Sequence, residues 1–267
     1  MDFGALIEES IDYSREALAG TWTTWLVFVI CSLPMALIQF LFDPTTLVDK
    51  ASGTMHWDLI PWPQIIALIV AGFLLSFITS GYLVRVYRGT TPPPVFDQWA
   101  SLYLDAIKLL VVSILWFVPP AILLAAALAV AFLGIAGGSS SLVPGLVVIV
   151  LLLAAFIILI VVSLYSALGV IRFARTGSIR EGIRFSAISK TIGRIGWMTY
   201  IIALIVQSVV WFIFFIVVMM LSFIPFIGWL ISLAVTPLYT VFDARFMSRV
   251  YDHGISEVLV TAPGNTP

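Results

Sequence analysis

Arginine is the residue type in this chain whose placement most resembles chemistry, because it recurs in pairs. Arg85 and Arg88 lie in GYLVRVYRG, Arg172 and Arg175 in LGVIRFARTG, and Arg245 and Arg249 in FDARFMSRV. A guanidinium offers a rigid fork of donors that suits phosphate or carboxylate oxygens. The second pair is followed by Arg180, Arg184, Lys190 and Arg194, interleaved with Ile179, Ile183 and Phe185. Cations mixed with apolar residues suit anionic lipid headgroups, at about 1 kcal/mol per cation near a membrane surface. Together with Trp99, the arginines of these segments are the candidate lipid or partner surface.

The other reactive side chains lack partners. Cys31 sits in an apolar run and reads as a small buried residue, without a disulfide or a cysteine metal site. His56 and His253 are expected in loops on opposite sides of a membrane, so they cannot share a metal. Asp43, Asp49, His56 and Asp58 read as solvated loop residues, and Asp97 and Asp105 as the wet face of an interfacial helix. No phosphate-binding glycine loop, HExxH or GxSxG occurs. The expectation is a protein that is not an enzyme and uses neither cofactor nor metal.

The elements that must position the arginines are legible in the charge distribution. The 267 residues are 61% hydrophobic and 10% charged, against about 25% charged in soluble domains. Residues 17–42, 59–84, 109–171 and 195–242 contain no charge, so all 27 Lys, Arg, Asp and Glu crowd into the connections. A bilayer core about 30 Å thick takes about 20 helical residues, and backbone groups in lipid must be satisfied within the span. GGSSS at 137–141 divides the third run, and SFIPFIG at 222–228 divides the fourth. The spacing predicts an all-α, polytopic integral membrane protein forming one membrane domain over 1–253. Its spans are about 22–42, 62–84, 109–136, 142–171, 195–221 and 225–246, with a disordered tail at 254–267. A soluble enzyme, a secreted disulfide scaffold and a nucleic-acid binder are excluded. Five acids and one Arg in the first twenty residues argue against a cleaved signal peptide.

Lysine and arginine counts set the orientation. With the N-terminus in the cytoplasm, twelve of the thirteen cations fall on the inner side and only Lys50 on the outer. Both termini are therefore expected in the cytoplasm of a plasma-membrane protein. An amphipathic segment precedes each outward span. Phe3, Leu6, Ile7, Ile11 and Leu18 share one helical face, as do Phe96, Trp99, Tyr103, Ala106 and Leu110, and Phe185, Ile188, Ile192 and Ile195. The chain thus reads as three hairpins, each with an interfacial helix on the cytoplasmic side and an inward span ending in Arg. No span carries an ionisable residue near its centre in this reading. Gln207, Ser113 and Ser163 are the candidate intramembrane polar positions, and Pro119, Pro120 and Pro237 the expected kinks. Ala121, Ala125, Ala129 and the Gly134/Gly138 pair suit close helix contact.

Three segments carry a family resemblance. PPPVFDQWASLYLDAIKLLVVSILWFVPP at 92–120, the preceding GYLVRVYRG, and RFARTGSIREGIRF at 172–185 resemble the family known as domain of unknown function 4013. The similarity extends over about 22–251. It implies an integral membrane protein with this hairpin architecture, in an archaeal plasma membrane, and brings no assigned activity or catalytic residue. The functional expectation is a membrane scaffold or a protein that binds lipid or a partner through a basic cytoplasmic face. Membrane lipids, a second copy or another membrane protein are the expected partners, and nucleic acid is not. The alternative is a transporter or channel for a small apolar or amphiphilic solute.

Overall fold

The computed structural model describes residues 1–41, 57–137, 142–224 and 227–261. Asp43, Asp49, Lys50, His56, Gly138, the break at 138–141, Pro225 and Phe226 lie outside them. The described residues form nine α-helices and no strand: α1 (Phe3–Ala19), α2 (Trp22–Leu37), α3 (Trp62–Tyr87), α4 (Trp99–Ala136), α5 (Val143–Thr176), α6 (Ile179–Gly182), α7 (Phe185–Ile195), α8 (Trp197–Ser222) and α9 (Ile227–Thr261). Six stretches are long and apolar enough to cross a membrane: Trp22–Phe40, Trp62–Tyr87, Trp99–Ala136, Val143–Thr176, Trp197–Ser222 and Gly228–Ile255.

Helix ends follow the local sequence. The Asp2 carboxylate caps α1, accepting from the amides of Gly4 and Ala5 at 2.9 and 3.2 Å. Pro63 and Pro144 occupy first-turn positions of α3 and α5, where no backbone donor is missed. Helix α5 stops at Gly177, whose φ of 69° is the left-handed conformation that ends helices, and α7 stops at Gly196 with φ 87°. Pro119, Pro120 and Pro237 lie inside continuous helices. Near Pro237, the indole N–H of Trp25 donates to the Ala234 carbonyl at 2.8 Å, tying α2 to α9.

Two compact units divide the chain. The first comprises Met1–Ile107 and Met198–Val250. In it α2 and α3 run antiparallel, since Phe28 meets Tyr82 while Met35 lies against Gly72. Tyr13, Leu18, Phe28, Tyr82, Leu102 and Val241 form its core, with the rings of Phe28, Tyr82 and Phe96 mutually 4.8–5.7 Å apart. Helix α1 presents Ser10, Tyr13, Ser14, Ala17 and Leu18 to the interior. Of the expected stripe only Leu18 is buried, and Ile11 is exposed. Small residues win because they permit close approach, and the Ser10 and Ser14 hydroxyls donate to their own helix at 2.7 Å. The second amphipathic segment is the first part of α4 and not a separate helix. Asp105, expected on its wet face, is 8% exposed; the cause is Arg88, described below.

The second unit comprises Lys108–Trp197 and Tyr251–Pro267. Helices α4 and α5 are antiparallel here, with Trp116 against Gly169 and Gly134 against Pro144. The Trp116 indole donates to the Gly182 carbonyl at 3.1 Å, and a Cβ at Gly169 would meet both groups. Helix α7 buries Ile188, Ile192 and Ile195 as its periodicity requires, whereas Phe185 stays half exposed, stacked 3.9 Å from Tyr165. The expected tail begins at Gly254, but α9 continues to Thr261 because no proline intervenes before Pro263. A Cβ at Gly254 would press on Ile195 and the Thr191 carbonyl of α7. Residues 262–267 lie outside the described ones.

Gly81 of α3 is a close approach to another helix in the first unit that a side chain would break. An added Cβ would stand 2.2 Å from the Leu102 carbonyl oxygen, a backbone atom that cannot swing aside. Gly81→Ala is expected to cost about 1–3 kcal/mol, read as a lowered thermal midpoint in detergent. Gly145→Ala, where nothing lies within 4 Å, should leave the midpoint unchanged or raise it.

Candidate functional site

Helices α3, α5 and α9 bring the three arginine pairs to comparable settings. The Arg85 guanidinium donates to the Asp97 carboxylate, to the carbonyls of Val95 and Asp97 at 3.0 and 2.9 Å, and to the Ser101 hydroxyl at 3.0 Å. It thereby ties the end of α3 to the segment leading into α4. Arg172, near the end of α5, donates from Nε and Nη2 to Glu181 of α6. Arg245 of α9 donates from Nε and Nη2 to Glu9 of α1 at 3.1 and 2.6 Å, with its guanidinium 4.2 Å from the centre of the Tyr13 ring. Its side chain is 2% exposed. A charge so buried is tolerable only with a paired, hydrogen-bonded partner.

The second arginine of each pair behaves alike. Arg88 meets Asp105 at 2.8 Å, Arg175 meets Asp252 at 2.6 Å, and Arg249 meets Glu9 at 3.2 Å. Arg184 donates to Glu181 at 3.0 Å. These seven arginines, expected to line a surface, are thus engaged by the protein's own carboxylates. Arg180 and Arg194, with Lys190, are exposed and have no ion-pair partner among the described residues. Trp99 is half exposed, its ring stacked 6.0 Å from Phe96. Asp97 and Glu181, twelve and nine residues beyond their arginines, were within reach of sequence reasoning. Glu9, 236 residues from Arg245, was not.

Ser113 and Ser163 donate to carbonyls of their own helices, Leu109 at 2.9 Å and Ile160 at 2.8 Å, as hydroxyls in apolar helices commonly do. Gln207 instead reaches another helix, where its amide donates to the Asp243 carboxyl of α9. Asp243 also accepts from the Tyr239 hydroxyl at 3.3 Å. The expectation that no span has an ionisable residue near its middle therefore fails, since Asp243 lies well inside Gly228–Ile255. Helix α9 continues past the arginines of FDARFMSRV, which places Asp243 within the helix and not at its end. An apolar groove of about 270 Å³ adjoins Tyr239, lined by Ile11 of α1, Val210, Phe214 and Val217 of α8, and Leu238 and Phe242 of α9. Among the described residues no group of three His, Cys, Asp or Glu is placed to hold a metal ion.

An almost wholly helical chain with six candidate membrane-spanning helices and internally paired arginines has the make-up of a multi-pass membrane protein. The chain belongs to the family described as Protein of unknown function (DUF4013), which matches it over residues 65–237. That span contains all three segments on which the resemblance was drawn. It is narrower than 22–251 and leaves Glu9, Asp243 and Arg245 outside. No curated protein and no solved structure matches the chain.

The Arg172 and Arg184 hydrogen bonds hold the Glu181 carboxyl below its usual range. A depressed folded pKa contributes stability above the unfolded value of about 4.3 and loses it as pH falls through the folded one. Protection factors of the Ile179–Gly182 amides, with intrinsic exchange rates divided out, are expected to fall as pH drops below the ordinary glutamate value of about 4.3. Glu181→Gln should show the lower protection already at neutral pH.

Proposed function

We propose that this chain is a non-enzymatic multi-pass membrane scaffold that binds anionic lipid through a basic cytoplasmic face, in the plasma membrane and with both termini inside. The family resemblance further implies an archaeal membrane. The observation that carries the reading is α7. Its Ile188, Ile192 and Ile195 are buried, while Lys190 and Arg194, together with Arg180 before the helix, remain exposed and unpaired among the described residues. Glu181, the one acid between Arg180 and Arg194, is occupied by Arg172 and Arg184. Ile183, Phe185 and Trp197 are exposed around the same segment, apolar and aromatic contacts suited to the headgroup boundary. Three hairpins, each closed by an Arg-carboxylate clamp, supply the frame in this reading. Its support is the recurrence of that clamp at Arg85, Arg172 and Arg245.

A second reading, transport of a small apolar or amphiphilic solute, is favoured by Gln207 with Asp243 and by the groove beside Tyr239.

Native mass spectrometry of the full chain with defined lipids tests the first reading. Wild-type protein should retain phosphatidylglycerol in preference to phosphatidylcholine. Replacing Arg180, Lys190 and Arg194 together by Gln should weaken that retention by about fivefold per cation. Equal retention of both lipids by the wild type would refute it. For the orientation, a cysteine placed at Ser178 in a Cys31→Ser background should resist an impermeant reagent in sealed cells and react after lysis.

A further inference from the structure

We propose that Asp243 is a proton-binding site inside the membrane-spanning part of the chain: a carboxylic acid that holds its proton at neutral pH, between the Gln207 amide and the Tyr239 hydroxyl. The inference rests on the chain crossing a membrane and not on the lipid-binding reading.

The position of the group is set by its partner. Gln207 lies ten residues into α8, about 15 Å along the axis from Trp197, with about 22 Å remaining to Ser222. A side chain hydrogen-bonded to that amide sits far from either end of α8. Within a membrane span an unpaired charge is costly.

The partners are of the wrong kind for a carboxylate. Glu9, Asp97, Asp105, Glu181 and Asp252 each meet an arginine. The groups facing Asp243 are Gln207 from α8, Tyr239 from its own helix and Tyr87 from α3, all uncharged. Nearby cations are committed elsewhere. Arg245, two positions on and so about 200° around the helix, goes to Glu9, and Arg88, next to Tyr87, goes to Asp105. Both donors to Asp243 converge on Oδ1. This leaves Oδ2 to carry the proton. Binding forms one O–H bond on Oδ2 as hydronium becomes water, and release reverses it. The site thereby changes between neutral and negative beside Tyr239, whose side chain also lines the apolar groove. Two neutral donors without a cation hold the acid form at little cost, whereas the ionised form would be a half-buried charge with no counter-ion.

Infrared spectroscopy of the full-length protein in lipid nanodiscs, across a pH series, reads the proton directly. At pH 7 a protonated-carboxyl carbonyl band should be present and should disappear in Asp243→Asn. The band should persist at pH 7 and be lost only on further alkalinisation. Asp243→Asn mimics the neutral acid and is expected to keep the wild-type thermal midpoint at pH 7. Gln207→Leu removes a donor that favours the ionised form, so the band should titrate at still higher pH. This second variant serves if the asparagine protein fails to accumulate. Absence of any Asp243-dependent acid band at pH 7, or a lower midpoint in Gln207→Leu, would overturn the proposal.

Discussion

A buried guanidinium must have a carboxylate, and the ends of the long helices depend on that requirement. Arg85 and Arg175 lie in the last turns of α3 and α5, where the helix dipole favours a cation, whereas Arg245 sits midway along α9 and depends on its pairing with Glu9. Each helix meets the demand with an acid from another element: Asp97 before α4 for Arg85, Glu181 of α6 for Arg172 and Glu9 of α1 for Arg245. The ion pair thus places the connection as well as neutralising it. Arg85 illustrates this best, since two backbone carbonyls and a serine hydroxyl of the 95–101 segment complete its donor set.

In two of the three clamps the acid follows the arginine along the chain: Asp97 comes after α3, and Glu181 after α5. Helix α9 has no such segment after it, and α1 takes the role from the opposite end of the chain. The N-terminal helix therefore belongs with the last pair of helices, and the first unit contains both for that reason. Arg249 reinforces the closure by sharing Glu9 with Arg245. One carboxylate serving two arginines explains why α1 has to approach closely, and why its inner face is built from Ser10, Ser14 and Ala17.

Charge-free runs located the six apolar helices because lipid penalises charge along a whole span. Their ends were less legible, since a helix stops where the backbone is interrupted and not where charge begins. Helix α5 therefore runs past Arg172 and Arg175 to the glycine at 177, and α4 starts ten residues before its apolar run. The ion pairs divided in the same way. Contacts made a few turns along the chain can be read from spacing, but Glu9 with Arg245 exists only once distant elements have packed. Asp105 was misjudged for a related reason: an acid on an amphipathic segment looks solvated until the arginine opposite is known.

The polar groups within the spans follow two different rules. Ser113, Ser163, Ser208 and Ser232 are each satisfied by a carbonyl of their own helix, so they ask nothing of a neighbour. Gln207 carries two donors and an acceptor on a longer arm, more than one nearby carbonyl can serve, and it selects a partner across the helix pair. That partner being an acid, rather than a second amide or a hydroxyl, is the feature that packing alone does not require. Phe214 stacked 4.8 Å from Tyr239 already joins α8 to α9 through apolar contact. An arginine in place of Gln207 would have neutralised Asp243 at the cost of a bulkier charged side chain among apolar neighbours. An amide matches the neutral acid, keeps the pair uncharged, and leaves Asp243 free to change its state. Arg245, two residues on in the same helix, uses a paired charge to fix geometry, whereas Asp243 avoids charge while retaining a group that can acquire it.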